Sequence, residues 1–222
     1  MATVLQRFKL TAPGATPGQK QAFQTSDVTV KSRPFLFTSK MQKRLSRRVL
    51  SMLERSLSFF PELQGETITV GVTRANLGSA VLLYKASSAV KLAIRLNVRK
   101  LSFQTIGHEL THLAQGLARV GAKAQRVLKN RIPGGEKQCD VWTLARSPLF
   151  CDEAPTYLRL PKDVRENWSH YAEGIRALCI AAIEKRKHER FYIRWLESEI
   201  RTLARNTPAA PPREPTQLSL PL

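Results

Sequence analysis

Thr105-Ile106-Gly107-His108-Glu109-Leu110-Thr111-His112-Leu113-Ala114-Gln115 is the stretch from which the rest of the chain is best read. It contains His-Glu-x-x-His. On a helix, residues four apart share a face, so His108 and His112 are placed to grip one metal ion. Glu109 follows directly and can reach a water on that ion. Zinc lowers the pKa of such a water from about 15.7 to about 7, and a neighbouring carboxylate can take its proton. Ile106, Leu110, Leu113, Ala114 and Leu117 form an apolar stripe at helical spacing, with no proline inside. Only four histidines occur in the chain and two fall here, in an apolar helix that has no other use for them. Ser102 is placed to cap the helix start.

Working outward from this helix, the preceding 60 residues alternate between patterns. Residues 40–60 read as an amphipathic helix, with Met41, Leu45, Val49, Met52 and Leu53 on the buried face and Lys40, Arg44 and Arg47 opposite. Residues 66–73, 80–85 and 90–98 read as strands, the last with Val90, Leu92, Ile94, Leu96 and Val98 on one face and Lys91 and Arg95 on the other. The expected fold class is α+β: a helix, a three-stranded sheet, the metal-binding helix, then C-terminal helices. Residues 1–38 are expected to be a partly disordered extension with one strand-like run at Val28. Residues 39–161 form the core, residues 162–205 a helical segment, and residues 206–222 a proline-rich linker and tail.

The chain has 222 residues and 42% hydrophobic content, enough for a core of its own. It has no apolar run of 18 residues, so no membrane partner is expected, and no apolar stretch near Met1 of the kind a secretory signal needs. Three cysteines (Cys139, Cys151 and Cys179) without a Cys-x-x-Cys pair suggest buried thiols in a reducing compartment, hence a cytoplasmic, nucleoid-associated location. The formal charge is +19. Residues 1–60 carry 11 basic and 2 acidic residues, residues 61–150 carry 13 and 5, and residues 151–222 carry 12 and 10. The excess lies on and before the metal helix and favours a polyanion, DNA above all. Candidate phosphate contacts are Arg119, Lys123 and Arg126, spaced for one helical face, together with Lys40, Arg44 and Arg47.

Helix, strands and a His-Glu-x-x-His helix in that order resemble the zincin metallopeptidases. The third ligand separates the subclasses. Metzincins want Gly and His at fixed offsets where this chain has Gln115 and Ala118. The family of SprT and Spartan uses a downstream histidine, and His170 and His188 sit in no matching motif. Glu136-Lys137-Gln138-Cys139-Asp140-Val141-Trp142 is the better match. It resembles the Glu-x-x-x-Asp helix of thermolysin-like gluzincins and the corresponding segment of ImmA/IrrE-like peptidases. The resemblance covers roughly residues 40–150 and implies that Glu136 is the third ligand and that Asp140 supports a ligand histidine. Asp152 and Glu153 remain rival ligands. One zinc per chain is the implied cofactor and Glu109 the implied catalytic base. Tyr157 and His170 are the candidates for a proton donor or oxyanion stabiliser.

After the proline-rich residues 207–215 comes Gln217-Leu218-Ser219-Leu220-Pro221-Leu222. This hexapeptide resembles the motif by which bacterial polymerases and repair proteins bind the replication sliding clamp, with Gln217, Leu218, Leu220 and Leu222 matching. A zincin domain combined with DNA- and clamp-binding segments resembles Spartan in layout. The expected function is a zinc-dependent endopeptidase cleaving DNA-bound or DNA-crosslinked proteins and recruited by the clamp. The alternatives are an ImmA/IrrE-type protease acting on a repressor or stress regulator, and a non-catalytic DNA or clamp adaptor with a structural zinc.

Overall fold

The computed structural model describes residues 28–32, 34–84, 90–121 and 132–207. The fold is α+β. Its centre is a five-stranded sheet in the order β1-β2-β3-β5-β4, built from β1 (Val28–Ser32), β2 (Phe35–Thr38), β3 (Ile68–Val72), β4 (Gly78–Tyr84) and β5 (Val90–Leu96). β2, β3 and β5 run parallel, while β1 and β4 run antiparallel to their neighbours on the two edges. The three strands expected from the sequence are β3, β4 and β5. The sheet also extends back into the expected extension. Phe35 and Phe37 are both fully buried and bring β2 alongside β3, so residues 28–38 contribute two strands. Their polar, proline- and glycine-containing approach hides that alternation.

The expected helix over residues 40–60 is two helices, α1 (Ser39–Gln42) and α2 (Arg47–Leu57). Each has its own start: the Thr38 hydroxyl accepts from Met41 N at 3.3 Å and the Ser46 hydroxyl from Val49 N at 3.2 Å. Their buried residues Met41, Val49, Met52 and Leu53 are the apolar face expected from the pattern. α3 (Phe103–Gly121) lies against β4, β5 and α2 and sends Ile106, Leu110 and Leu113 into the same core.

A second apolar core lies beyond α3. It is formed by α4 (Glu136–Arg146), α6 (Trp168–Lys185) and α7 (Tyr192–Asn206), with short α5 (Lys162–Glu166) at its side. The expected C-terminal helical segment is therefore three helices, with α6 and α7 packed as a hairpin. Val141, Leu144, Trp168, Ile175, Cys179, Leu196 and Ile200 supply its apolar contacts. α4 thus touches α3 on one side and the C-terminal hairpin on the other. Among the described residues, no helix is long and apolar enough to cross a membrane.

Candidate metal centre

α3 begins where Ser102 and Asp152 meet. The Ser102 hydroxyl accepts from Thr105 N at 3.1 Å. The Asp152 carboxylate accepts from Phe103 N at 2.6 Å and from Gln104 N at 2.8 Å. Asp152 is thus a helix cap reaching across the fold, where its negative charge meets the positive end of the helix dipole. This overturns its candidacy as a metal ligand, since both of its oxygens are engaged away from the histidines. Glu153 is exposed, and no contact brings it to them.

His108, Glu109 and His112 are all buried on α3. Glu136, the first residue of α4, meets both histidines. Its Oε2 lies 3.2 Å from His108 Nε2 and 3.0 Å from His112 Nε2. Gly135 just before it holds φ = +116°, a conformation that suits glycine and turns the chain into α4 at this point. One turn on, Asp140 is fully buried; its Oδ1 lies 2.7 Å from His108 Nδ1. Asp140 Oδ2 accepts from Tyr157 N at 2.6 Å and Leu158 N at 2.8 Å, which fixes the carboxylate itself. A carboxylate on Nδ1 leaves Nε2 as the free ligating nitrogen, the arrangement that orients metal-binding histidines elsewhere.

His112 is oriented differently. Its Nδ1 lies 3.2 Å from Gln115 Oε1 and 3.2 Å from Cys139 Sγ. Gln115 is itself anchored by donating to the Pro133 carbonyl at 2.5 Å. Gln115 has no role in the sequence reading except as a departure from the metzincin pattern. Its spacing of three from His112 is the signal that was there to be used.

The buried cluster of His108, His112 and Cys139 can hold a metal ion. Cys139, however, approaches His112 from the Nδ1 side, whereas Glu136 meets the Nε2 atoms of both rings. Because Asp140 occupies Nδ1 of His108, an ion shared by the two imidazoles uses Nε2 on that ring, and there the third donor at hand is Glu136. Burial pushes the Cys139 thiol well above its usual pKa in the metal-free protein. Two imidazole nitrogens and a carboxylate are a donor set that fits zinc.

The electrostatics of the cluster follow from burial and crowding. Burial pushes the Glu109 carboxyl up to about 8; His108 opposes this shift, and Glu136 and Asp140 add to it. Its Oε2 is buried without a hydrogen-bond partner. Burial resists ionisation of Glu136, but hydrogen bonds from His108 and His112 outweigh it and hold the carboxyl down at about 2. Burial likewise resists protonation of His108, yet the Asp140 and Glu136 hydrogen bonds raise it to about 10.

A cleft of about 250 Å³ opens beside these groups and is lined by His108, Glu109 and Tyr157 among others. The Tyr157 ring stacks on His108, with centroids 5.5 Å apart and planes 25° apart. Burial pushes its hydroxyl up to about 12, so it stays a donor. His170, the other candidate donor, is exposed on α6, packs against Tyr171 and does not line the cleft. At the start of β4, Gly78 backs directly onto Glu109: a Cβ there would lie 2.5 Å from Glu109 Oε1.

Of the candidate phosphate contacts, Lys40 and Arg47 are exposed and Arg44 is half-buried. The side chain of Arg119, and Lys123 and Arg126 altogether, lie outside the described residues, as do Gln217, Leu218, Leu220 and Leu222. No family model, curated protein or solved structure matches the chain.

Proposed function

We propose that the protein is a zinc-dependent endopeptidase in which His108, His112 and Glu136 hold the ion and Glu109 is the base. The observation that carries this reading is the meeting of both Nε2 atoms with one Glu136 oxygen, beside a buried Glu109 whose Oε2 has no partner. Zinc would supply Lewis acidity and a water acidified to about 7. The chain supplies the rest. Asp140 and Gln115 orient the imidazoles, Glu109 takes a proton and passes it to the leaving amine, and the Tyr157 hydroxyl donates to the developing negative charge. Burial raises the affinity of Glu109 for a proton, which suits a group that takes one and passes it on. A buried carboxylate oxygen with no partner supports catalysis over a purely structural ion.

The substrates we propose are proteins bound or crosslinked to DNA, with the sliding clamp as recruiter. The +19 charge supports the first part and the C-terminal Gln217-Leu218-Ser219-Leu220-Pro221-Leu222 the second. Purified protein should carry about one zinc per chain. Glu136→Ala should lose it; Glu109→Gln should keep it and lose cleavage of basic DNA-binding proteins. Zinc retained in Glu136→Ala but lost in Cys139→Ala would overturn the ligand set. Deleting residues 217–222 should abolish clamp binding and leave zinc and DNA-independent cleavage intact, with the isolated hexapeptide binding at about micromolar strength.

A further inference from the structure

The cleft beside Glu109 has a wall that the catalytic reading does not use. It is built from two turns. One connects β3 to β4 and carries Arg74, Asn76 and Leu77; the other is the 3-10 turn Val98–Lys100 after β5. Asn97 N donates to the Leu77 carbonyl at 2.9 Å, so the two turns are tied together. The Asn97 side chain also caps the 3-10 turn by accepting from Arg99 N at 3.2 Å. Arg74 and Lys100 are both exposed, and both line the cleft.

Neither cation forms an ion pair among the described residues. Other cations close to this core are engaged: Arg146 with Glu62, and Lys137 with Glu197. Among the described residues, the only acidic one lining the cleft is Glu109, buried next to Gly78. A concave site with unpaired charges of one sign concentrates the field on whatever enters. Thr156 and Tyr157 also line the cleft and add no charge. A cleft of about 250 Å³ is the size of a side chain or two rather than a folded surface.

We infer that Arg74 and Lys100 form a subsite for an acidic side chain, Asp or Glu, placed next to the peptide bond that is cut. The inference rests on the endopeptidase reading above for the bond, but its chemistry is that of the cleft alone. A carboxylate entering between the two turns meets a guanidinium and an ammonium, while a lysine or arginine there meets like charge. The enzyme therefore discriminates by attraction and by repulsion at the same position.

The test uses full-length, zinc-loaded protein and a set of quenched fluorescent peptides, identical except for Asp, Asn or Lys at each of the four positions flanking the cleaved bond. At one position, kcat/KM should favour Asp over Asn by about tenfold or more and disfavour Lys. The preference should shrink in high salt. Arg74→Glu combined with Lys100→Glu should abolish or reverse it without changing zinc content. Equal rates for Asp, Asn and Lys at every position, or a preference that survives the double charge reversal, overturns the subsite.

A binding arm separates this proposal from the peptidase reading. The Glu109→Gln protein is titrated with the same labelled peptides and followed by fluorescence anisotropy. If the zinc-loaded parent protein cuts none of the peptides, yet the Glu109→Gln protein binds the Asp peptide about tenfold tighter than the Asn peptide and loses that advantage in the Arg74→Glu, Lys100→Glu background, the subsite stands and the peptidase reading falls. If neither cleavage nor binding depends on the acidic residue, the subsite falls. An unlabelled single-stranded oligonucleotide is added as competitor. Binding of the oligonucleotide tighter than the peptide, with the same dependence on Arg74 and Lys100, would make the wall a phosphate-backbone contact and overturn the acidic-side-chain assignment.

Discussion

Gly78→Ala is the smallest change that tests how Glu109 is placed. The new methyl carbon would lie 2.5 Å from Glu109 Oε1, 2.8 Å from its Cγ and 2.9 Å from its Cδ. Comfortable non-bonded carbon contacts are about 3.5–4.0 Å, so the carboxylate must retreat by about 1 Å. It has little room to do so, because Glu109 is only 3% exposed. A 1 Å misplacement of a catalytic group costs about 10²-fold in rate. We expect kcat to fall by about that factor, with KM little changed. Overpacking should lower stability by about 1–3 kcal/mol. Single-turnover cleavage of a fluorogenic peptide, zinc content and urea denaturation, measured on the same preparation, separate these effects. Because the methyl group acts through Glu109, the same substitution on a Glu109→Gln background should cost little further activity. A folded, zinc-loaded Gly78→Ala protein within twofold of the parent kcat would refute the placement of the base, and an equal loss on the Glu109→Gln background would show that the methyl group acts elsewhere.

Asp152→Ala removes the cap of α3 and should cost about 1 kcal/mol in urea denaturation while zinc stays bound; loss of zinc would restore Asp152 as a ligand. Asp140→Asn should weaken zinc binding about 10–100-fold in competition with a chelating dye, since it loosens His108; unchanged affinity would show the contact to be idle. pH should act on the metal-free protein through Glu109, whose folded carboxyl at about 8 lies above the ordinary 4.5. Its protonated form is favoured by folding, so that contribution is complete below pH 4.5 and is lost as pH rises to 8. His108, raised from 6.5 to about 10, adds a loss that runs above pH 6.5. Glu136, lowered to about 2, contributes above pH 4.5 and loses stability only as pH falls towards 2. Chelator-treated protein should therefore be less stable at pH 8 than at pH 5, and Glu109→Gln should flatten the part of that slope between 4.5 and 6.5. A slope identical in both proteins would contradict the burial assigned to Glu109.

What could be read from the residues was local. The periodicity of residues 106–117 places a helix and puts His108 and His112 on one face, and the spacing of Glu136 and Asp140 puts both on one side of α4. β5 was visible because Leu92, Ile94 and Leu96 alternate with Lys91 and Arg95. The misses were non-local. Asp152 caps α3 from 49 residues away, and no pattern near Asp152 announces that partner. β2 is four residues long, and its membership of the sheet depends on pairing with β3 across the intervening helices. The break between α1 and α2 lay in Ser46, whose capping preference competed with an unbroken apolar stripe. Gln115 departs from the metzincin pattern, and its hydrogen bond to His112 depends on the Pro133 carbonyl that anchors it, 18 residues away. Tyr157 enters the cleft because its backbone is bonded to Asp140, which is again a tertiary fact.

Two contacts made by the start of α4 have a consequence for synthesis. Lys137 pairs with Glu197, which is buried on α7, and Tyr192 donates to Gln138. The residues next to Glu136 are therefore held by a helix that leaves the ribosome some 60 residues after them. A nascent chain ending before α7 already has both histidines, the sheet beneath them and the contacts of α4 with α3 and α6, but it lacks these two side-chain latches beside Glu136. Fragments halted short of α7 should therefore hold the start of α4 less firmly and, on the proposed zinc site, bind the ion more weakly than the full chain.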